Sequence, residues 1–219
     1  MNLLELLNDK VDAYAGAGKI YGVVVGIVTN NQDPEKLGRV KVKYPWLSES
    51  EESHWARMAT MMAGKDRGSF YLPEVEDEVL VAFEHGDVRF PYVVGMLWNG
   101  TDTPKYDNSD GKNDKRVMTS RGGHEFIFDD NDQQGKVIIH TKKNHIITLD
   151  DSSGQEKISI VDKSGSNSIE IDSMQNSIAF KSGMKLTIES QMIEIKAGAM
   201  MKIEAGATLT IKGAMVLIN

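Results

Sequence analysis

From Val137 onward the chain repeats a pair of apolar residues two positions apart, with small or flexible residues between one pair and the next. The pairs are Val137/Ile139, Ile147/Leu149, Ile158/Ile160, Ile169/Ile171, Ile178/Phe180, Leu186/Ile188, Ile193/Ile195, Met201/Ile203, Leu209/Ile211 and Val216/Ile218. Their second members are spaced by 10, 11, 11, 9, 8, 7, 8, 8 and 7 residues, so the period tightens toward the C-terminus. A recurrence this long is a repeat architecture. Side chains at i and i+2 share one face of a strand, and the residue between them (Glu170, Thr187, Glu194, Lys202, Thr210) points the other way. Each unit therefore reads as a strand of three or four residues whose corner is turned by Gly, Ser, Asn or Ala. No single unit buries its own pair, so units must stack. Solenoid repeats that stack within one chain run to roughly 20 residues or more. A turn of about eight residues is too small to enclose a core by itself. Three chains winding together solve this, each supplying one face per layer, and they pair the backbone edges inside the prism. At about 4.8 Å per layer, ten layers make a prism roughly 50 Å long. Met174, Met184, Met192, Met200, Met201 and Met215 are placed to fill irregular gaps in it.

The rest of the chain is built differently. All three Trp and all five Pro precede residue 105, whereas residues 134–219 hold one aromatic, Phe180. That tail carries ten Lys against nine acidic groups, so the first 133 residues hold −8 of a chain total of −7. Two folding units of unlike packing follow, and 219 residues are enough for both. Residues 20–98 read as strand and turn. YGVVVGIV is a strand; Asn30, Asn31, Asp33, Pro34 and Gly38 form a turn cluster. GRVKVKYP alternates with period two, Val40 and Val42 one way and Lys41 and Lys43 the other. Trp55, Arg57 and Met58 start a short strand, and SFYLP is another. EVLVAFEHGD puts Val79, Val81 and Phe83 on one face and turns at HGD, and FPYVVGMLW is the last strand. Five or six short strands in about 80 residues predict a small closed barrel. At the N-terminus Leu3, Leu4, Leu7, Val11 and Tyr14 recur at helical spacing, with AGAG as the stop. The expected layout is a helix over 1–18, a barrel over 19–99, a linker and neck over 100–133 and a needle over 134–219.

Several chemistries are disfavoured. The chain has no cysteine, which excludes disulfides and thiolate metal sites. No apolar run approaches the length of a membrane span, and MNLLELLNDK lacks the pattern of a secretory signal. A single-strand-binding barrel needs a basic groove, and the −8 head argues against one. A β-helical carbohydrate-active enzyme needs clustered carboxylates in an aromatic-lined cleft, and one aromatic in the tail does not make one. No phosphate loop, HExxH or GxSxG motif occurs. Of the five histidines (His54, His85, His124, His140 and His145), His140 and His145 would ring the axis of a trimer, where they could bind a metal or anion, but they read as surface or satisfied residues. Asp129, Asp130 and Asp132 lack the ligand spacing of a calcium loop, and Asp150 and Asp151 read as turn residues. No catalytic residue, metal or cofactor is expected.

The segments GVVVGIVTNNQDPEKLGRVKVKYPWL, WARMAT, GSFYLPEVEDEVLVAFEHGD and PYVVGMLWNG resemble the OB-fold barrel of the central spike of contractile injection machines. That family comprises phage baseplate assembly protein V and the spike part of VgrG proteins of type VI secretion. RGGHEFIFDD resembles its barrel-to-needle joint, and SNSIEID, GMKLTIES and IKGAMVLIN resemble its needle. The resemblance implies an all-β homotrimer: an OB-fold barrel followed by an intertwined trimeric β-helix. It would sit beneath the inner tube, contacting it through a hub, and would be driven through a target envelope when a sheath contracts. The implied β-helix core is Ile169, Ile171, Ile178, Phe180, Leu186, Ile188, Ile193, Ile195, Met201, Ile203, Leu209 and Ile211. About 19 residues precede the barrel, so the expected hub is a separate protein, contacted by Leu3, Leu4, Leu7 and Val11. No lysozyme domain fits between barrel and needle. The last histidine is His145, so the histidine-bound iron of some spike tips is not expected. The apolar end, Val216, Leu217, Ile218 and Asn219, is the expected seat of a PAAR-type tip protein. The particle would assemble in the cytoplasm, bind no nucleic acid and meet a target membrane only on firing.

Overall fold

The computed structural model describes residues 18–48 and 50–217. The expected N-terminal helix, with Leu3, Leu4, Leu7 and Val11, lies outside the described residues, as do Ile218 and Asn219. The chain divides into two compact units, Met1–Asp107 and Asn108–Asn219.

Alternation in the sequence builds the first unit. Its strands are β1 (Val24–Asn30), β2 (Lys41–Lys43), β3 (Arg57–Met58), β4 (Ala63–Gly64), β5 (Arg67–Gly68), β6 (Glu78–Phe83) and β7 (Pro91–Met96). Five of them form a sheet in the order β2-β1-β6-β7-β3, antiparallel except where β3 runs parallel to β7. The sheet closes on itself just before β2: Val40 N donates to Ala56 O (3.0 Å) and Ala56 N to Val40 O (2.7 Å). Closure leaves no free edge among these five strands. Inside lie Val28, Val40, Val42, Val79, Val81 and Val93, with Tyr44, Ala56 and Phe83. The residues between them point out, where Lys41 pairs with Glu52 (3.0 Å) and Lys43 with Glu76 (3.8 Å). The expected barrel is thus formed, and Val40, Val42, Val79, Val81 and Phe83, which the period-two pattern sets on one face, lie in its core.

Two loops are locked by single residues. Asp33 accepts backbone N–H bonds from Glu35, Leu37 and Arg39, and both carboxylate oxygens take the Arg39 guanidinium at 2.8–2.9 Å. The HGD turn is a 3-10 turn, Glu84–Gly86, in which His85 and Gly86 have positive φ. SFYLP is not a strand. Phe70 and Tyr71 are 78% and 58% exposed, and the pairing falls just before them, in the β4–β5 hairpin.

The second unit is a seven-stranded antiparallel meander, each strand paired with its neighbours in sequence. Its strands are β8 (Lys115–Thr119), β9 (Glu125–Asp129), β10 (Lys136–His140), β11 (Ile146–Asp150), β12 (Lys157–Val161), β13 (Ser168–Asp172) and β14 (Ser177–Lys181). Two expectations are corrected. The segment read as linker and neck already supplies β8 and β9. The strands are also five residues long and pair within one chain, rather than being isolated units of three or four. The reason is the period. A spacing of 9–11 residues holds a five-residue strand and a hairpin turn, with φ > 0 taken by residues such as Asn144 and Gly165. Beyond Phe180 the spacing falls to 7 or 8, too short for both, and no strand occurs among residues 182–217 of the single chain.

Candidate assembly surface on the meander sheet

Register decides which side chains share a face. Starting from β8, Met118 stands opposite Phe126, which stands opposite Ile139. The same column continues through Ile147, Ile160 and Ile169 to Phe180. A parallel column runs from Phe128 through Val137, Leu149 and Ile158 to Ile171 and Ile178, with Arg116 at its head. A strand alternates its side chains, so both columns lie on one face. Phe126 and Phe128 meet edge to face at 4.8 Å between centroids. Among the described residues nothing covers the far end of this face: Ile169 and Ile171 are each 39% exposed, Ile178 64% and Phe180 65%. An unbroken apolar face across seven strands is well beyond the scattered apolar exposure of an ordinary surface. A cavity of about 570 Å³ opens along it, lined in part by Ile139, Ile147, Ile160, Ile169, Phe180 and Leu186.

The opposite face is apolar in its middle column over β8–β10, where Val117, Ile127 and Ile138 stand side by side with Ile127 buried, and polar from Thr148 through Ser159 to Glu170. Along one of its edges the register sets Lys115, Asp129, Lys136, Asp150, Lys157 and Asp172 side by side, alternating in sign on successive strands. Lys115 bonds Asp129 at 2.5 Å and Lys136 bonds Asp150 at 2.8 Å, while Lys157 reaches Glu170 at 3.5 Å. Cross-strand pairs of opposite charge favour this register over a slipped one. Burial pushes the Asp150 carboxyl up, but hydrogen bonds from Lys136 and Ser152 outweigh it and hold the group at about 2. The sheet therefore has one face of mixed character, ion-paired along an edge, and one apolar face.

The residues singled out in the sequence fall as follows. Ile169, Ile171, Ile178 and Phe180 stand in the two columns. Leu186, Ile188, Ile193, Ile195, Met201, Ile203, Leu209 and Ile211 are exposed and joined by no strand ladder in the single chain, and Val216 and Leu217 are exposed as well. His140 lies between Asn144 (Nε2–Oδ1 3.0 Å) and the buried Glu125 (Nδ1–Oε2 3.5 Å), and His145 Nδ1 accepts the Lys163 backbone N–H at 3.3 Å. Asp129 and Asp130 are taken up by Lys115 and Arg116. Among the described residues no group of three His, Asp or Glu side chains is placed to hold a metal ion. Sequence reading began the apolar columns at Val137 and missed Met118, Phe126 and Phe128. The signal was the Phe-x-Phe alternation of HEFIFD, which has the same period as the aliphatic pairs.

Residues 24–98 match the model of the type VI secretion system/phage-baseplate injector OB domain, which spans β1 to the end of β7. Over 135 residues (58% of this chain) it is 31% identical to type VI secretion system spike protein VgrG3 of Vibrio cholerae. Over 139 residues (58%) it is 30% identical to type VI secretion system spike protein VgrG1b of Pseudomonas aeruginosa. It is also 28% identical over 135 residues to a Vibrio cholerae protein named actin cross-linking toxin VgrG1. The aligned part covers 13%, 19% and 12% of those relatives' lengths, so the chain spans a small share of each. Among the described residues no helix is long and apolar enough to cross a membrane. The closed five-stranded barrel is thus a baseplate-injector OB domain, carried by a chain that is similar over 58% of its length to VgrG-type spike proteins.

Proposed function

We propose that this chain is the homotrimeric central spike of a contractile injection apparatus, phage-tail-like or type VI-like. It caps the inner tube through a hub and is driven through the target envelope by sheath contraction. The observation that carries this reading is the pair of apolar columns on the meander, bare in the single chain. Three such sheets facing one axis bury them on each other. The shorter period after Phe180 supports the same reading. Where a chain has too few residues per repeat to pair with itself, its partners must be other chains. The core then continues through Leu186, Ile188, Ile193, Ile195, Met201, Ile203, Leu209 and Ile211 as layers of one strand from each copy.

The role is mechanical. A prism in which each layer is shared by three copies opens only by breaking pairing between chains, which gives kinetic stability under axial load. No catalytic step is assigned to any residue. Leu3, Leu4, Leu7 and Val11 dock on the baseplate hub, and Val216, Leu217, Ile218 and Asn219 seat a PAAR-type tip protein. Assembly takes place in the cytoplasm as part of the larger particle.

Light scattering after gel filtration, repeated in SDS without boiling, tests this. The expected mass is about 73 kDa, three times the chain's 24.3 kDa, persisting in SDS. A folded 24.3 kDa monomer overturns the reading.

A further inference from the structure

The turns of the meander fall on two rims of opposite charge. Residues 120–124, 141–145 and 162–167 form one rim, and residues 130–135, 151–156 and 173–176 the other. The first presents Lys142, Lys143 and Lys163, all exposed. Its one carboxylate, Asp162, is consumed by its own turn: the Ser164 hydroxyl donates to it at 2.8–2.9 Å, and the Asn167 backbone N–H and side-chain amide at 3.1–3.2 Å. The turns of the second rim contain no lysine or arginine and present Asp132, Asp151 and Glu156, with Lys112 beside Asp132 and Arg116 taking up Asp130. Glu156 Oε1 accepts the Gly154 N–H at 3.2 Å, whereas its Oε2 is shielded from solvent and accepts no hydrogen bond among the described residues.

We propose that the basic rim of one copy packs against the acidic rim of the next, so that the copies close head to tail around their axis with all tails at one end. This rests on the trimeric reading above and adds to it what sets the direction of the chains. The geometry is favourable. Turns on one rim recur every second strand, about 10 Å, and the two rims are offset by one strand. A rotation axis along the strand stack keeps strand levels equal between copies. The turn at 141–145 of one copy then lies level between the turns at 130–135 and 151–156 of its neighbour, with carboxylates on both sides of Lys142 and Lys143. Two copies packed face to face with their stacks reversed would instead set basic rim on basic rim. Like charges there raise the energy of the wrong assembly, which is how such patterns give specificity.

Three variants of the full chain test this: Lys142→Glu/Lys143→Glu/Lys163→Glu, Asp132→Lys/Asp151→Lys/Glu156→Lys, and both sets combined. Each is diluted from denaturant at low and at high salt, and the yield of the 73 kDa species is measured, about three times the chain mass. Either single-rim reversal is expected to lower the yield at least fivefold at low salt, with partial recovery at high salt. The combined variant, in which the rims have exchanged sign, is expected to return to wild-type yield. Wild-type trimer with unaffected single-rim variants overturns the rim pairing and leaves the trimer standing. So does failure of the combined variant to recover while barrel folding, followed by tryptophan fluorescence, is intact. A wild-type chain that never forms a trimer refutes the reading beneath it instead.

Discussion

Single residues hold this molecule at points that the pattern of apolar residues does not mark. Gly86 has φ +73°, and a Cβ there would lie 3.2 Å from the backbone N and O of Ile20, whose N–H donates to Gly86 O at 2.8 Å. Gly86→Ala is expected to destabilise the barrel by about 1–2 kcal/mol, the cost of a left-handed conformation for a residue with a Cβ. Denaturant unfolding followed by tryptophan fluorescence measures it. Asp33 is held well below the usual carboxylate range by the Arg39 side chain, and Asp87 by Arg89. Asp150 is held at about 2 against its burial. Each carboxylate therefore stabilises the fold at every pH above its unfolded value, about 4, and loses that contribution as pH falls through its folded value. Thermal stability should be flat from pH 7 to about 4 and fall between about 4 and 2. Asp150→Asn should lower Tm by a few degrees at pH 7 and flatten part of that acid fall, as differential scanning calorimetry against pH would show. Little of this residue-level detail was legible in the sequence. Asp33 reads only as one polar member of a turn cluster, because nothing local says that Arg39, six residues on, will fold back onto both of its oxygens.

At the scale of elements, legibility followed burial. Val40, Val42, Val79, Val81 and Phe83 were assigned to a core by alternation, and all five are buried. Sheets with one wet face announce themselves this way. SFYLP misled because aromatic content resembles strand propensity, whereas Phe70 and Tyr71 stand in solvent beside a two-residue hairpin. In the tail, the residues of the apolar face were legible and their connection was not. A pair two apart looks the same whether its strand pairs with its own chain or with another, and only the period separates the cases. The face itself makes a sharp prediction. Ile160 and Ser159 are neighbours on β12 that point to opposite faces. Ile160→Asp should reduce assembled protein at least tenfold, since it would bury an unpaired charge. Ser159→Asp, on the opposite face, should leave assembly within twofold of wild type. Quantitative gel filtration of the two variants checks this.

For the whole molecule, the two units divide the work. The barrel closes its sheet and satisfies its core within one chain, so it folds as an ordinary domain. The meander pairs its strands within one chain but leaves one face bare, and residues 182–217 are exposed and form no strand in the single chain. On the trimeric reading proposed above, dependence on other copies increases along the sequence. Amide hydrogen exchange across Leu186, Ile195, Ile203 and Ile211 in the native protein tests this most directly. If each copy's tail pairs with the tails of two others, these amides should exchange as slowly as those of β12 and β13, protected at least a thousandfold relative to the unfolded chain. Exchange at the unfolded rate through residues 186–211, with β12 and β13 protected, would contradict an intertwined needle.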